Sequence, residues 1–264
     1  MLGAIIGDIV GSRFEFGDPP PKGFRLFTPE CNYTDDTICT IAVADAILNK
    51  KDYKETLLDW CRRYPSPMGG YGGRFHEWIF SNNPQPYGSY GNGSAMRVSP
   101  VAWLYDTIDD VQEQARLSAM PTHNHPEGLK GAECIATLIY WLRTTRITKH
   151  RVEKKAAELW HYEIPSLQDI YRIGAENHFD GTCQETVPMA IRCFLESQNF
   201  EDAIRIAVLA DGDTDTKADI TGALAEAFYE IPEDITEKAL AYLPNDMLDI
   251  VSQYYDRIRQ LYTL

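Results

Sequence analysis

Cations are in short supply in this chain. Its 264 residues hold 25 Lys and Arg against 39 Asp and Glu, a formal net charge of −14. Proteins that grip a phosphate backbone do so with a basic surface, so this balance argues against nucleic acid as the main partner. A small anionic ligand needs only a local cation and stays open. Long apolar runs are missing too: nothing approaches the roughly 18 residues of a membrane span, and no membrane role is expected. Met1–Val10 is apolar but short, carries Asp8 within it and has no basic residue ahead of it, so it reads as a folded element and not as a signal peptide. The six cysteines contain no C-x-x-C pair; they read as reduced, mostly buried thiols, which points to the cytoplasm. Strict apolar–polar alternation is hard to find, and the one Asn-Gly, Asn92-Gly93, lacks alternating flanks.

What is abundant is core-forming material. Hydrophobic residues make up 44%, with 15 Tyr, 10 Phe and 5 Trp, enough for a sizeable core and too much for disorder. The apolar spacing is helical in Thr37–Leu48, again at Ala132, Ile135, Ala136, Ile139 and Leu142, and again at Ile220, Ala223, Leu224, Ala227 and Phe228. Val152–His161, Pro188–Leu195 and Asp246–Leu261 follow suit, and an all-α fold is expected. Three loops interrupt the helices: Gly17–Tyr33, Tyr64–Gly73 and Asn82–Ser94. Loops of that length are functional or disordered, and their tyrosines favour function.

Two acid clusters open helices. Thr34-Asp35-Asp36-Thr37 precedes the first clear helix and Asp213-Thr214-Asp215-Thr216 a late one. N-capping explains one such residue at each start, yet each holds two Asp and two Thr, and packed acids repel unless a cation neutralises them. Metal binding and capping with a solvated acidic face therefore both fit. A metal here would be hard, Mg²⁺ or Mn²⁺ before Zn²⁺, because the donors are carboxylate and hydroxyl oxygens without His or Cys. Two clusters have room for two ions about 3.5–4 Å apart. A site joining residue 34 to residue 216 argues for one domain over residues 1–264.

These segments carry a resemblance. Gly3-Ala4-Ile5-Ile6-Gly7-Asp8, Thr34–Thr37, Tyr71-Gly72-Gly73, Gly91-Asn92-Gly93-Ser94-Ala95-Met96-Arg97, Thr122-His123, Gly212–Thr216 and Gly222-Ala223-Leu224 together resemble the ADP-ribosylglycohydrolases over nearly the whole chain. The resemblance implies a single orthogonal helical domain whose loops surround a binuclear Mg²⁺ or Mn²⁺ centre. It implies metal ligands at Thr34, Asp35, Asp36, Asp213, Asp215 and Thr216. Asp211-Gly212 departs from the family's frequent Gly-Gly.

The finer likeness is to the serine-linkage branch of the acceptor hydrolases. There Gly11–Glu15 looks like the segment whose glutamate lies on a flap over the metals. Gly88, Ser89, Tyr90, Gly91, Asn92 and Gly93 look like the ADP-ribose loop, and His123 like the histidine near the diphosphate and ribose. The implied reaction is metal-dependent release of ADP-ribose by water attack at the anomeric carbon, with an oxocarbenium-like transition state. Glu15 would polarise water or protonate the leaving oxygen, and Asp35, Asp36 and Asp213 would hold the ions and take the proton. Glycine N–H groups and the Ser89 hydroxyl would meet the diphosphate, with Asn92 as polar anchor and Tyr90 stacking on adenine. Asp8 is expected to support the loops, His125 to be structural, and Arg97 to hold the loop or touch ligand. The partner would be an ADP-ribosylated protein, through serine or arginine, or a small molecule such as a polymer or ester end. Acceptor choice would sit around Glu15 and residues 177–185. The competing expectation is a non-catalytic relative that binds ADP-ribose or serves a structural or immunity role.

Overall fold

The computed structural model describes residues 1–176 and 179–262. Helices run in the order α1 (Leu2–Gly11), α2 (Asp35–Leu48), α3 (Tyr53–Arg63), α4 (Gly73–Phe80), α5 (Gly93–Met96), α6 (Ser99–Leu104), α7 (Ile108–Ala119) and α8 (Pro126–Thr145). They continue with α9 (Lys149–Trp160), α10 (Leu167–Ala175), α11 (Cys183–Glu196), α12 (Phe200–Leu209), α13 (Thr214–Glu226), α14 (Glu233–Leu240) and α15 (Asn245–Tyr262). The named elements are all helices, as the periodicity predicts; the one sheet-like feature among the described residues is an isolated bridge between Gly91 and Thr182. The expected stripes fall within α2, α8, α9, α11, α13 and α15, with α13 stopping at Glu226 before Ala227 and Phe228.

The centre of the molecule is the pair α1 and α13. Every residue of α1 is buried, so it has no polar face and gives no stripe for periodicity to find. α13 is buried from Thr214 to Ala225, including Asp215, Lys217 and Asp219. The two helices touch through glycine. A Cβ on Gly7 would lie 2.0 Å from the Ala218 carbonyl oxygen, and one on Gly3 would lie 2.1 Å from that of Gly222. One on Gly11 would lie 2.5 Å from Asp215 Cα. Glycines at i, i+4 and i+8 share a helix face, and here that face admits the α13 backbone itself. The Thr214 hydroxyl closes the far end by donating to the Gly11 carbonyl at 2.9 Å. This contact brings the second acid cluster beside the segment that follows α1.

Gly7→Ala is accordingly expected to destabilise the protein by about 1–3 kcal/mol, since the clash is with backbone and no side-chain rotation relieves it. Urea denaturation followed by circular dichroism checks it; an unchanged midpoint would mean that the two helices can part at no cost.

Candidate active site

The site grows from two helix starts. At α2, Thr34 is the N-cap and its hydroxyl oxygen accepts the Asp36 N–H at 3.2 Å. The buried Asp8 carboxylate, reaching across from α1, accepts the N–H groups of Thr34 at 3.0 Å and Thr37 at 3.1 Å, and the Thr37 hydroxyl. Asp8 thus supports the loop, as expected, and burial holds its carboxyl up at about 6. Thr34 and Asp8 do the capping, so Asp35 and Asp36 are not needed for it. At α13 the N-cap is Asp213, whose side chain makes no capping bond. Instead Asp213 Oδ2 accepts Asn92 Nδ2 at 2.7 Å.

The turn into α13 explains the sequence departure at 211. Asp211 and Gly212 both have positive φ, +58° and +68°. Glycine enters that region freely and aspartate is one of the residues that tolerates it, so Asp211 keeps the backbone path. Lys217 donates to the carbonyls of Ala210 and Asp211 and so fastens the turn, its charge near Asp213.

Glu15 arrives from the third direction. Arg13 anchors its segment by donating to the Arg25 carbonyl and the Thr28 hydroxyl. One carboxylate oxygen each from Glu15, Asp213 and Asp215 lies within 4.8 Å of the others. Asp35, Asp36 and Thr216 line the same cavity, of about 400 Å³. Burial, then Asp213 and Asp35, push the Glu15 carboxyl up to about 8. Burial, then Asp8 and Asp213, push Asp35 up to about 8. Burial and neighbouring carboxylates hold Asp36 and Asp215 well above the usual carboxylate range. Asp36 Oδ2 and Asp215 Oδ1 are buried with no hydrogen-bond partner. Buried acids without donors call for a counter-charge, and an all-oxygen set of this density fits a hard divalent cation.

The sign of those shifts gives a test. A carboxyl whose folded pKa is raised contributes stability below its unfolded pKa and loses it as pH climbs through the folded value. In EDTA, Tm should fall by several degrees as pH rises from about 5 to about 8, the loss accruing from the unfolded carboxyl range near 4 up to the folded values near 6 and 8 and levelling off beyond them. Mg²⁺ or Mn²⁺ should restore Tm at the alkaline end and do little at the acid end, where the ligands are protonated. A scan with the same slope in EDTA and in metal would mean that no cation answers these acids.

The wall opposite the acids is the Tyr87–Gly93 loop with His123. Ser89, Gly91, Asn92 and Gly93 line the cavity. Gly88 and Tyr90 do not; Tyr90 is 46% exposed, its ring 5.3 Å from that of His125. The loop reads in sequence as a cradle of N–H donors; in the fold those of Gly88, Ser89, Gly91 and Asn92 hold the loop's own shape. Gly88 N–H donates to Asn124 Oδ1 at 2.7 Å, Ser89 N–H to the Thr122 carbonyl at 3.2 Å, Gly91 N–H to Ser89 Oγ at 3.1 Å and Asn92 N–H to the Gly181 carbonyl at 2.7 Å. The Asn92 amide nitrogen is committed as well, to Asp213 and Thr186, so Asn92 orients a metal-cluster acid and keeps only its Oδ1 for a ligand.

His123 lies against this loop, its Nε2 3.2 Å from where a Gly93 Cβ would be. Its Nδ1 pairs with Thr122 Oγ1 at 2.7 Å, and burial, then Arg97, hold its pKa well below the ordinary range, so the ring is neutral. Arg97 is buried and borders the cavity, but its Nη2 binds the Ser118 carbonyl and Thr122 Oγ1, both at 3.0 Å, which holds the His123 segment in place. His125 is structural: its Nδ1 caps α8 by accepting the Glu127 N–H at 3.2 Å. Thr34, enclosed at 0% exposure, is absent from the cavity wall.

Other lining residues carry no chemical signature in sequence: Phe16, Gly69 to Phe75, Tyr87, Phe179 and Gly181. Phe16 and Phe179 stack at 5.8 Å, 71% and 47% exposed. Their only sequence signal is position, one beside Glu15 and one in the 177–185 segment, of which Asn177 and His178 lie outside the described residues.

The chain is similar to known proteins over most of its length. The family model for ADP-ribosylglycohydrolase matches residues 1–263. ADP-ribosylhydrolase ARH3 of Homo sapiens is 27% identical, covering 98% of this chain and 92% of its own length. The ADP-ribosyl-[dinitrogen reductase] glycohydrolase of Rhodospirillum rubrum is 25% identical over 88% of this chain and 85% of its own. ADP-ribosylarginine hydrolase Tri1 of Pseudomonas putida is 24% identical, covering 90% and 72%. A solved structure described as an ADP-ribosylglycohydrolase-related protein complex superposes with a TM-score of 0.69, at 24% identity and 97% coverage of both chains. With its helices, its facing acid clusters and a whole-length family match, the chain belongs to the ADP-ribosylglycohydrolases.

Proposed function

We propose that this protein, acting as one domain over residues 1–264, hydrolyses the glycosidic bond between ADP-ribose and an acceptor, with Mg²⁺ or Mn²⁺ bound by its two acid clusters. The observation that carries the reading is the pair of buried, partnerless oxygens, Asp36 Oδ2 and Asp215 Oδ1, in acids that line one cavity with Glu15 and Asp213. Asp35, Asp36, Asp213, Asp215 and Thr216 would hold two ions, with Thr34 supporting them through its Asp36 contact. Bound there, such ions supply positive charge to ribose hydroxyls and lower the pKa of a water. Asp35, Asp36 and Asp213 orient that site and offer oxygens to take the proton. Glu15 stands at its edge as the acid for the leaving atom or the orienter of water. The neutral His123 offers Nε2 to the ribose and diphosphate, and Ser89 its hydroxyl.

The acceptor is proposed as an ADP-ribosylated protein. The likeness of Gly11–Glu15 and Gly88–Asn92 to the serine-linkage branch favours serine, and the relative named for ADP-ribosylarginine sets arginine as the alternative. A polymer or ester end is the small-molecule counterpart. Among the described residues no helix is long and apolar enough to cross a membrane, and cytoplasmic action is proposed with it.

The test is ADP-ribose release from matched serine- and arginine-linked peptides in Mg²⁺, Mn²⁺ or EDTA. Metal-dependent release from one peptide is the expected result and fixes the linkage. ADP-ribose bound tightly with no release from any linkage would favour a binding protein. No binding of ADP-ribose would end the proposal.

A further inference from the structure

The diphosphate of ADP-ribose carries two negative charges into a cavity already floored by acids, on a protein of net charge −14. Something must answer them. The loop's N–H groups at Gly88, Ser89, Gly91 and Asn92 are already donated to the protein. His123 is held neutral. Among the described residues lining the cavity the cations are Arg97 and Arg74. Arg97 is 1% exposed and its Nη2 serves the Ser118–Thr122 turn.

Arg97 Nε has no partner but is buried out of a ligand's reach; Arg74 differs in its exposure. It opens α4 immediately after the glycine-rich 69–73 loop, and it is exposed. Its guanidinium lies over the Tyr87 ring at 4.8 Å and one Nη2 hydrogen goes to the Tyr87 carbonyl. Those two contacts fix its plane beside the residue that precedes Gly88-Ser89. Its Nε and Nη1 have no acceptor among the described residues, and it pairs with no carboxylate there. A guanidinium pre-set by stacking, with N–H groups to spare and a place in the cavity wall, is the arrangement that takes a phosphate through paired charge-assisted hydrogen bonds.

We infer that Arg74 binds the diphosphate of the substrate, the Tyr87 ring serving as its platform and the Ser89 hydroxyl as its partner. The inference rests on the reading of the cavity as an ADP-ribose site. It adds a side chain from α4 to what the glycine loop offers the anion.

The experiment is calorimetric titration of the full chain in Mg²⁺ with ADP-ribose and, as the phosphate-free probe, adenosine, comparing wild type, Arg74→Gln and Arg74→Lys. Losing a hydrogen-bonded charge contact is expected to weaken ADP-ribose about 10–100-fold in Arg74→Gln, with Arg74→Lys intermediate. Adenosine affinity and Tm should stay as in wild type, and the salt dependence of ADP-ribose binding should flatten. With substrate, KM should rise while kcat changes little. Arg74→Gln binding ADP-ribose as tightly as wild type would overturn the inference, as would an equal loss for adenosine, which marks a structural role. Wild type failing to bind ADP-ribose would instead overturn the functional reading beneath it.

Discussion

An Asp35→Ala/Asp36→Ala protein should fold and yet release ADP-ribose at least about 10³-fold more slowly than wild type. Metal-ion charge stabilisation contributes several kcal/mol to a transition state, and each 1.36 kcal/mol is tenfold in rate. The fold should survive because Thr34 and Asp8 satisfy the N–H groups of Thr34, Asp36 and Thr37 at the α2 start, and the Asp35 carboxylate meets only its own N–H there. Removing the two carboxylates also removes like-charge repulsion, that of Asp35 on Glu15 and that of Asp215, Asp219, Asp8 and Asp35 on Asp36. In EDTA the double variant should therefore melt no lower than wild type, while in Mg²⁺ wild type should gain several degrees that the variant does not. Release assays beside metal content by mass spectrometry check both halves. Full activity in the variant, or in wild type stripped of metal, would remove the acid clusters from the mechanism.

Glu15→Gln should lower kcat by about 10²–10⁴-fold, the range of a general acid–base group, with ADP-ribose affinity changed only a few-fold. Gln keeps the shape that this position requires, since the Glu15 carboxylate fills the space beside Gly69, where a Cβ would come within 2.6 Å of Oε2. It cannot give or take the proton. Single-turnover release with calorimetry separates the two effects. Wild-type turnover would leave the acid role to an Asp; equal loss of binding would make Glu15 a ligand-holding residue.

What could be read from the residues divides along physical lines. Helices such as α9, α11 and α15 are legible because part of each faces solvent, which writes a period into the sequence. α1 is the heart of the fold and is not legible that way, because it has no solvent side, whereas its partner α13 is legible from its Ile220, Ala223 and Leu224 spacing; the glycines of α1 read as motif letters, whereas in space Gly3, Gly7 and Gly11 are the contact itself. The acid clusters stand out because packed Asp at helix starts exceeds what capping needs. Their convergence with Glu15 is a tertiary fact, although the family likeness implies it. The glycine loop is legible as a loop but not in its hydrogen bonding, since whether an N–H is free depends on Thr122 and Gly181, far along the chain. Arg74 escapes notice for the opposite reason: an arginine on a helix surface has nothing unusual about it until Tyr87 and the cavity are placed beside it.

The glycine contact between α1 and α13 also governs when this protein comes into being. Gly11 and Thr214, which meet in the fold, are 203 residues apart. At synthesis rates of roughly 5–20 residues per second, the wait between them is about 10–40 s. Throughout that interval the nascent chain carries an apolar helix that will be buried on every face, and a first acid cluster with no second half to share a cation. Neither the core nor the catalytic centre can be assembled piecemeal on the ribosome. Until Thr214 has emerged α1 has no partner to bury it, so for most of its synthesis the chain is open to off-pathway association.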